Sequence, residues 1–214
     1  MDFTKLTDEE KKEVVKILNQ LSVNGTSDSY NKLLYSDYTE IPVDIETFLK
    51  SPRYLGKGLI NSDGRFTVFP YWLDLLKKIF PDPLKPAKYN TLALTGSIGI
   101  GKSFVAVLIG LYELYRVMCL KDPYVYYGIQ NIDTLSFATM NITLDASRGV
   151  AWDKMQQLLQ LSDWFMEKGT LVGRSTKEWV PPKGIELISG STPEHIIGRA
   201  IFWCFFDENI FFIS

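Results

Sequence analysis

The chain is poor in the residues from which several common kinds of site are built. It has a single histidine, His195, and two cysteines, Cys119 and Cys204, each inside an apolar segment and in no paired spacing. That argues against a histidine-based metal site and a disulfide framework, and the thiols read as buried in a reducing compartment. Nor is there an excess of one charge: 23 Lys plus Arg stand against 25 Asp plus Glu, a formal net charge of −2. With no basic field, a nucleic-acid partner has to be met by a local patch or by an assembly. Long apolar runs are missing too. The longest, Phe104 to Leu111 and Ala200 to Phe206, are eight and seven residues, too short to cross a bilayer. The start of the chain is polar and acidic, without the apolar region of a secretory leader, so a soluble intracellular protein is expected.

What is present is a globular body. Of the 214 residues 46% are apolar and 14% aromatic, enough for one good core with a small appendage. Gly96-Ser97-Ile98-Gly99-Ile100-Gly101-Lys102-Ser103 matches G-x-x-x-x-G-K-[ST] in full. It lies between two apolar runs, Leu92-Ala93-Leu94 and Phe104 to Ile109, the strand, loop and helix setting that a phosphate-binding turn requires. A polyphosphate needs many convergent donors at short range. Gly96, Gly99 and Gly101 let the backbone curl until its N–H groups converge, and the following helix adds its free N–H groups and positive dipole end. Lys102 would reach the β- and γ-phosphates, and Ser103 would hold Mg²⁺.

Along the chain, Thr7-Asp8-Glu9-Glu10 has capping-box spacing and opens a helix with Val14, Ile17, Leu18 and Leu21 on one face. A short helix is expected from about Asp44 to Leu49. Residues 1–60 read as an N-terminal helical appendage or lid and 61–214 as the nucleotide-binding core. In that core Phe66 to Phe69 is expected as a short strand, and a helix starts at Pro70 with Trp72, Leu75, Leu76 and Ile79 as its stripe. Pro81, Pro83 and Pro86 lead to a first core strand at about Asn90 to Thr95. The loop helix follows from Gly101 to about Met118, with Gly110 suggesting a tight contact. Leu135 to Met140 reads as a strand and Ala146 to Leu161 as a helix burying Trp152, Met155, Leu158 and Leu159. Two short strands fall within Thr176 to Ser189. Ala200 to Phe206 is a continuous apolar strand of the kind covered by helices on both faces.

That strand ends in Asp207-Glu208. Lying beside the loop-bearing strand, its tip would carry Asp207 to the Mg²⁺ and Glu208 to the attacking water as general base. An acidic pair after an apolar run is by itself only a solvated strand end; downstream of a complete glycine-rich turn it completes a hydrolase. ATP hydrolysis with Glu208 and Lys102 as catalytic groups is therefore expected. An arginine commonly neutralises charge on the γ-phosphate. Arg148 ranks first for that role, Arg199 reads as a partner, DNA or structural contact, and Arg53 is a third option. Phe69, Tyr71 and Trp72 are either an adenine platform or core aromatics of their helix.

On three features the chain resembles the large terminase subunit of tailed bacteriophages: the turn Gly96 to Ser103 preceded by Phe66 to Trp72; Gly190-Ser191-Thr192-Pro193-Glu194-His195-Ile196-Ile197-Gly198-Arg199; and Phe205-Phe206-Asp207-Glu208-Asn209. The resemblance spans about residues 40 to 214. It implies a RecA-like α/β P-loop ATPase, with a mostly parallel sheet between helices, using ATP and Mg²⁺. It further implies a homo-oligomeric ring that pumps double-stranded DNA into a procapsid in the host cytoplasm, with portal protein and small terminase subunit as partners and no membrane. Lys102, Ser103, Asp207 and Glu208 take the roles above, and Arg148 is the match for a finger reaching a neighbouring subunit. The chain departs from the family in ending six residues after Glu208, so later strands and the nuclease domain are expected to be absent. A helicase or clamp-loader-like ATPase, or an assembly module with negligible turnover, are the alternatives.

Overall fold

The computed structural model describes residues 7, 9–16, 35–97, 99–130, 133–141, 151–174, 177–182, 184–192, 194 and 196–207. The first helix, α1 (residues 9–16), opens on the expected capping box. The Thr7 N–H donates to Glu10 Oε2 at 2.7 Å and the Glu10 N–H to Thr7 Oγ1 at 3.3 Å. Val14 is buried, while Ile17, Leu18 and Leu21 lie outside the described residues. Helix α2 (Ile45–Lys50) is capped by Asp44, which accepts from the Thr47 N–H at 3.0 Å. After α3 (Gly56–Leu59), the expected strand at Phe66 to Phe69 is reduced to a single bridge, Ile60 to Phe66. Thr67 spends its N–H and its hydroxyl on the Leu59 carbonyl, at 2.8 and 2.9 Å, and the chain bends into α4 (Pro70–Ile79). The proline occupies the first turn, where no N–H is needed. Trp72, Leu73, Leu76 and Ile79 are buried and Leu75 is half-buried against the core, so Leu73 joins the expected stripe.

Helix α5 (Lys102–Met118) is the centre of the core. Its aromatic half packs Tyr115 on Phe48 with ring centroids 4.8 Å apart and on Trp164 at 4.8 Å. Both phenols find backbone partners at Val43: Tyr112 donates to its carbonyl at 2.8 Å and Tyr115 accepts its N–H at 2.9 Å. Ile45, Phe48, Leu49, Leu55 and Leu59 share this cluster with Val105 to Val117, so packing is continuous across residue 60. A short helix, α6 (Pro123–Tyr127), is capped by Asp122.

The strands are β1 (Leu135–Met140), β2 (Thr170–Val172), β3 (Glu178–Val180), β4 (Ile185–Gly190) and β5 (Ala200–Phe206). Helices α7 (Asp153–Leu161) and α8 (Asp163–Lys168) lie between β1 and β2. A parallel three-stranded sheet runs in the order β4-β1-β5 and is flanked by helices, the α/β arrangement expected. Parallel strands need crossover connections, and these carry α7, α8 and the β2–β3 hairpin. That hairpin includes a strand, β2, that the sequence reading did not contain. Side-chain amides hold it to α7. Gln156 donates to the Trp179 carbonyl at 3.1 Å and accepts its N–H at 2.6 Å, and Gln160 donates to the Lys177 carbonyl at 2.9 Å.

The structure departs from the sequence expectation at two strands. β1 is buried at all six positions, but β5 is half-buried along its length and exposed at Phe206. Among the described residues it pairs with β1 on one side only and so stands at the edge of the sheet, with Phe202 packed on Tyr127 and Trp203 on Gly110 of α5. The first core strand, expected at Asn90 to Thr95, does not form. The Lys88 N–H bonds the Ile79 carbonyl at 2.8 Å, and from Tyr89 to Thr95 no backbone–backbone hydrogen bond follows among the described residues. An extended segment becomes a strand only when a neighbour takes its N–H and C=O groups. No described strand does so here, and within Leu92-Ala93-Leu94 only Leu94 packs on the core. The suspected contact at Gly110 is real: a Cβ there would lie 2.8 Å from the Trp203 ring.

Candidate functional site

The site gathers at the C-terminal rim of the sheet, where open parallel sheets present ligands. Gly101 closes the glycine-rich turn in the left-handed region at φ 87° and serves as the N-cap of α5 without a side-chain bond. Gly96 and Gly99 have φ of 140° and 85°. All three conformations favour glycine, so the expected curl is present. The opening N–H groups of α5 have no partner within the helix. Trp72, 5% exposed on α4, reaches across to the turn: its indole N–H donates to the Ile100 carbonyl at 2.8 Å.

The Lys102 ammonium donates to the carbonyls of Gly96 at 2.9 Å and Ser97 at 2.8 Å. Ser103 Oγ lies 3.1 Å from each carboxylate oxygen of Asp207. Asp207 is placed by the ladder, its N–H donating to the Met140 carbonyl at the end of β1 at 2.9 Å. Residues 104 apart in sequence thus meet at the spot that the motif reading requires. A hydroxyl and a carboxylate are hard oxygen donors suited to Mg²⁺, which takes one or two protein ligands together with phosphate and water. Among the described residues no group of three or more His, Cys, Asp or Glu could hold a metal ion by itself.

Other candidates are placed differently. Glu208, Arg148, Ile98 and His195 lie outside the described residues. Arg53 pairs with Glu167 at 3.1 Å on the surface of α8. Arg199 precedes β5, so it stands a strand's length, roughly 20 Å, from the Asp207 end. There it pairs with Glu186, which also accepts from Ser136 at 2.5 Å. Burial acts to raise the Glu186 carboxyl, but the bonds from Arg199 and Ser136 outweigh it and hold the group below the usual range. The three aromatics divide: Trp72 is core, whereas Phe69 and Tyr71 are 57% and 51% exposed, with the Tyr71 ring 4.2 Å from that of Trp72. Burial pushes the Cys204 thiol up to about 11 and the Cys119 thiol up to about 12, in line with inert thiols.

The sequence reading offered Trp72 as stacking platform or core. It had no signal for an indole that bonds the turn, because the partner carbonyl is backbone and 28 residues away. No helix among the described residues is long and apolar enough to cross a membrane.

No curated protein and no solved structure matches the chain. One family model does, over residues 4–202; it is described as the uncharacterized protein MJ0330, N-terminal P-loop domain. With the curled glycine turn, the lysine and serine that follow it and the carboxylate facing that serine, the chain belongs to this P-loop domain family.

Proposed function

We propose that this P-loop domain binds ATP with Mg²⁺ and hydrolyses it as the ATPase portion of a motor that moves double-stranded DNA into a viral procapsid. The single observation that carries the nucleotide part is the meeting of Ser103 and Asp207 at 3.1 Å beside the glycine turn. The packaging role is supported by the terminase resemblance. In this reading Gly96 to Ser103 cradle the phosphates, Ser103 and Asp207 hold Mg²⁺, and Lys102 leaves the Gly96 and Ser97 carbonyls for the β- and γ-phosphates. Glu208 takes a proton from the attacking water as the bond to the γ-phosphorus forms and the β–γ bridging bond breaks. Mg²⁺, when bound, neutralises phosphate charge. Phe69 and Tyr71, exposed at the start of α4, offer the adenine a stacking face. Arg148 is proposed as the finger that reaches a neighbouring copy in a ring, with portal protein and small terminase subunit as further partners, in the host cytoplasm. Residues 1–60 are proposed as an N-terminal appendage whose residues 45–59 are built into the core.

Phosphate release by the parent and by Glu208→Gln tests the hydrolase. The expected result is a loss of about 10²-fold or more in the variant, as for removal of a catalytic base. Equal release by both overturns the base assignment. Stimulation of release by double-stranded DNA in the presence of the portal supports packaging, and indifference to both favours an assembly module.

A further inference from the structure

We infer that Trp72 is a positioning residue for the glycine-rich turn: its indole N–H pins the Ile100 carbonyl outward so that the Gly101 N–H points into the concavity. The inference rests on reading that turn as the triphosphate site, and it names a residue outside the motif on which the site depends. The chain has no cis peptide bond among the described residues, and in a trans peptide C=O and N–H point in opposite directions. A carbonyl held toward Trp72 therefore turns its partner N–H away from Trp72 and toward the inside of the curl. A Cβ at Gly101 would meet Trp72 Nε1 at 3.5 Å, an ordinary contact, so glycine is required there by its positive φ and not by crowding from the indole.

The bond is well sheltered. Trp72 is 5% exposed, and Tyr71 covers it at a ring distance of 4.2 Å. A buried indole N–H must find an acceptor, and here the acceptor is in the turn and not in the tryptophan's own helix. Helix α4 is in turn fixed by Leu73, Leu76 and Ile79 in the core, so the donor is borne on a rigid element.

The other half of the turn shows what happens without such a pin. The Gly96 and Ser97 carbonyls both turn toward the Lys102 ammonium. A peptide beside glycine reorients at little cost, and a carbonyl facing a phosphate repels it. Trp72 thus keeps the C-terminal half of the turn presenting a donor while the N-terminal half presents acceptors.

Trp72→Phe removes the donor and keeps an aromatic ring; Leu159→Ala destabilises the core from α7, away from the helix that carries the donor. In the nucleotide-free protein, hydrogen exchange of the peptide covering residues 99–104 should speed up in W72F while residues 105–118 keep their protection. Affinity for Mg-ATP, measured well below melting, should fall about tenfold in W72F, the scale of one buried hydrogen bond, and stay at the parental value in L159A. Unchanged exchange at 99–104 in W72F, or an equal loss of affinity in L159A, overturns the inference. Faster exchange at 99–104 in W72F, alongside a parent chain that binds no Mg-ATP, would leave the positioning role standing and reject the nucleotide reading instead.

Discussion

Between Ile100 and Ser103 the glycine-rich turn is fastened to the body of the protein by Trp72, by the start of α5 and by the contact with Asp207. Between Gly96 and Ser97 it is tied to Lys102, whose ammonium a phosphate would also claim. The approach to each half differs in the same way. Helix α5 is buried along most of its length, whereas residues 88–93 are exposed at every position and carry no ladder. Farther upstream the lead-in is secured again. Buried Arg116 donates to the carbonyls of Pro83, at 3.0 Å, and Lys85, and pairs with Glu113 at 3.2 Å. The slack is therefore confined to the stretch between Lys88 and Ser97. On the proposed reading one half of the site is preformed, and the other would be remade as lysine exchanged carbonyls for phosphates.

Lys102→Ala breaks this comparison most severely, because it removes both the tie of the loose half and the cation for the phosphates. Turnover should fall by about 10²-fold or more, the loss seen when a charge-stabilising donor is removed. A variant that retains parental phosphate release would show that the cation acts elsewhere. Gly101→Ala strikes the fastened half, where the positive φ strains any side chain. It should cost about 1–3 kcal/mol and lower the melting temperature together with Mg-ATP affinity. Gly96→Ala applies the same change to the loose half, at φ 140° and with Ile100 Cδ1 2.7 Å from the new Cβ. There the strain relaxes into an exposed segment, so affinity should fall while melting moves by no more than about 1 kcal/mol equivalent. Equal melting losses in the two alanine variants would abolish the distinction. Smallest of all should be Leu92→Asp, at a residue 40% exposed: within about 0.5 kcal/mol of the parent by denaturant unfolding. A large loss would mean that residues 91–95 bury against something in solution.

The parts legible in the sequence are those whose signal is local. Pro70 with its apolar stripe marked α4, the capping box at Thr7 marked the start of α1, and the apolar runs marked β1 and β5. The glycine spacing marked the turn, and the approach of Asp207 to Ser103 at 3.1 Å follows from strand direction and chain order, which leave few options. What failed depended on neighbours distant in sequence. Leu92-Ala93-Leu94 has strand composition, but nothing local says whether a ladder partner stands beside it. The half-covered state of β5 is likewise a property of the sheet edge and not of Ala200 to Phe206. β2 could have been found: Thr170-Leu171-Val172 before Gly173, with Trp179-Val180 beyond, has the pattern of a short hairpin. The amides of Gln156 and Gln160 that fasten it carry no sequence signature. Arg199 and Arg53 illustrate the same limit, for the acids they engage are 13 and 114 residues away.

The notch at Gly110 has a mechanical side. A side chain in place of Gly110 would meet the Trp203 indole at 2.8 Å, so α5 and β5 fit as they do only with glycine opposite that ring. Helix and strand are keyed together like tooth and slot, and the two ends that hold Ser103 and Asp207 inherit that fixed phase. Parting Ser103 from Asp207 would therefore also mean unseating that ring.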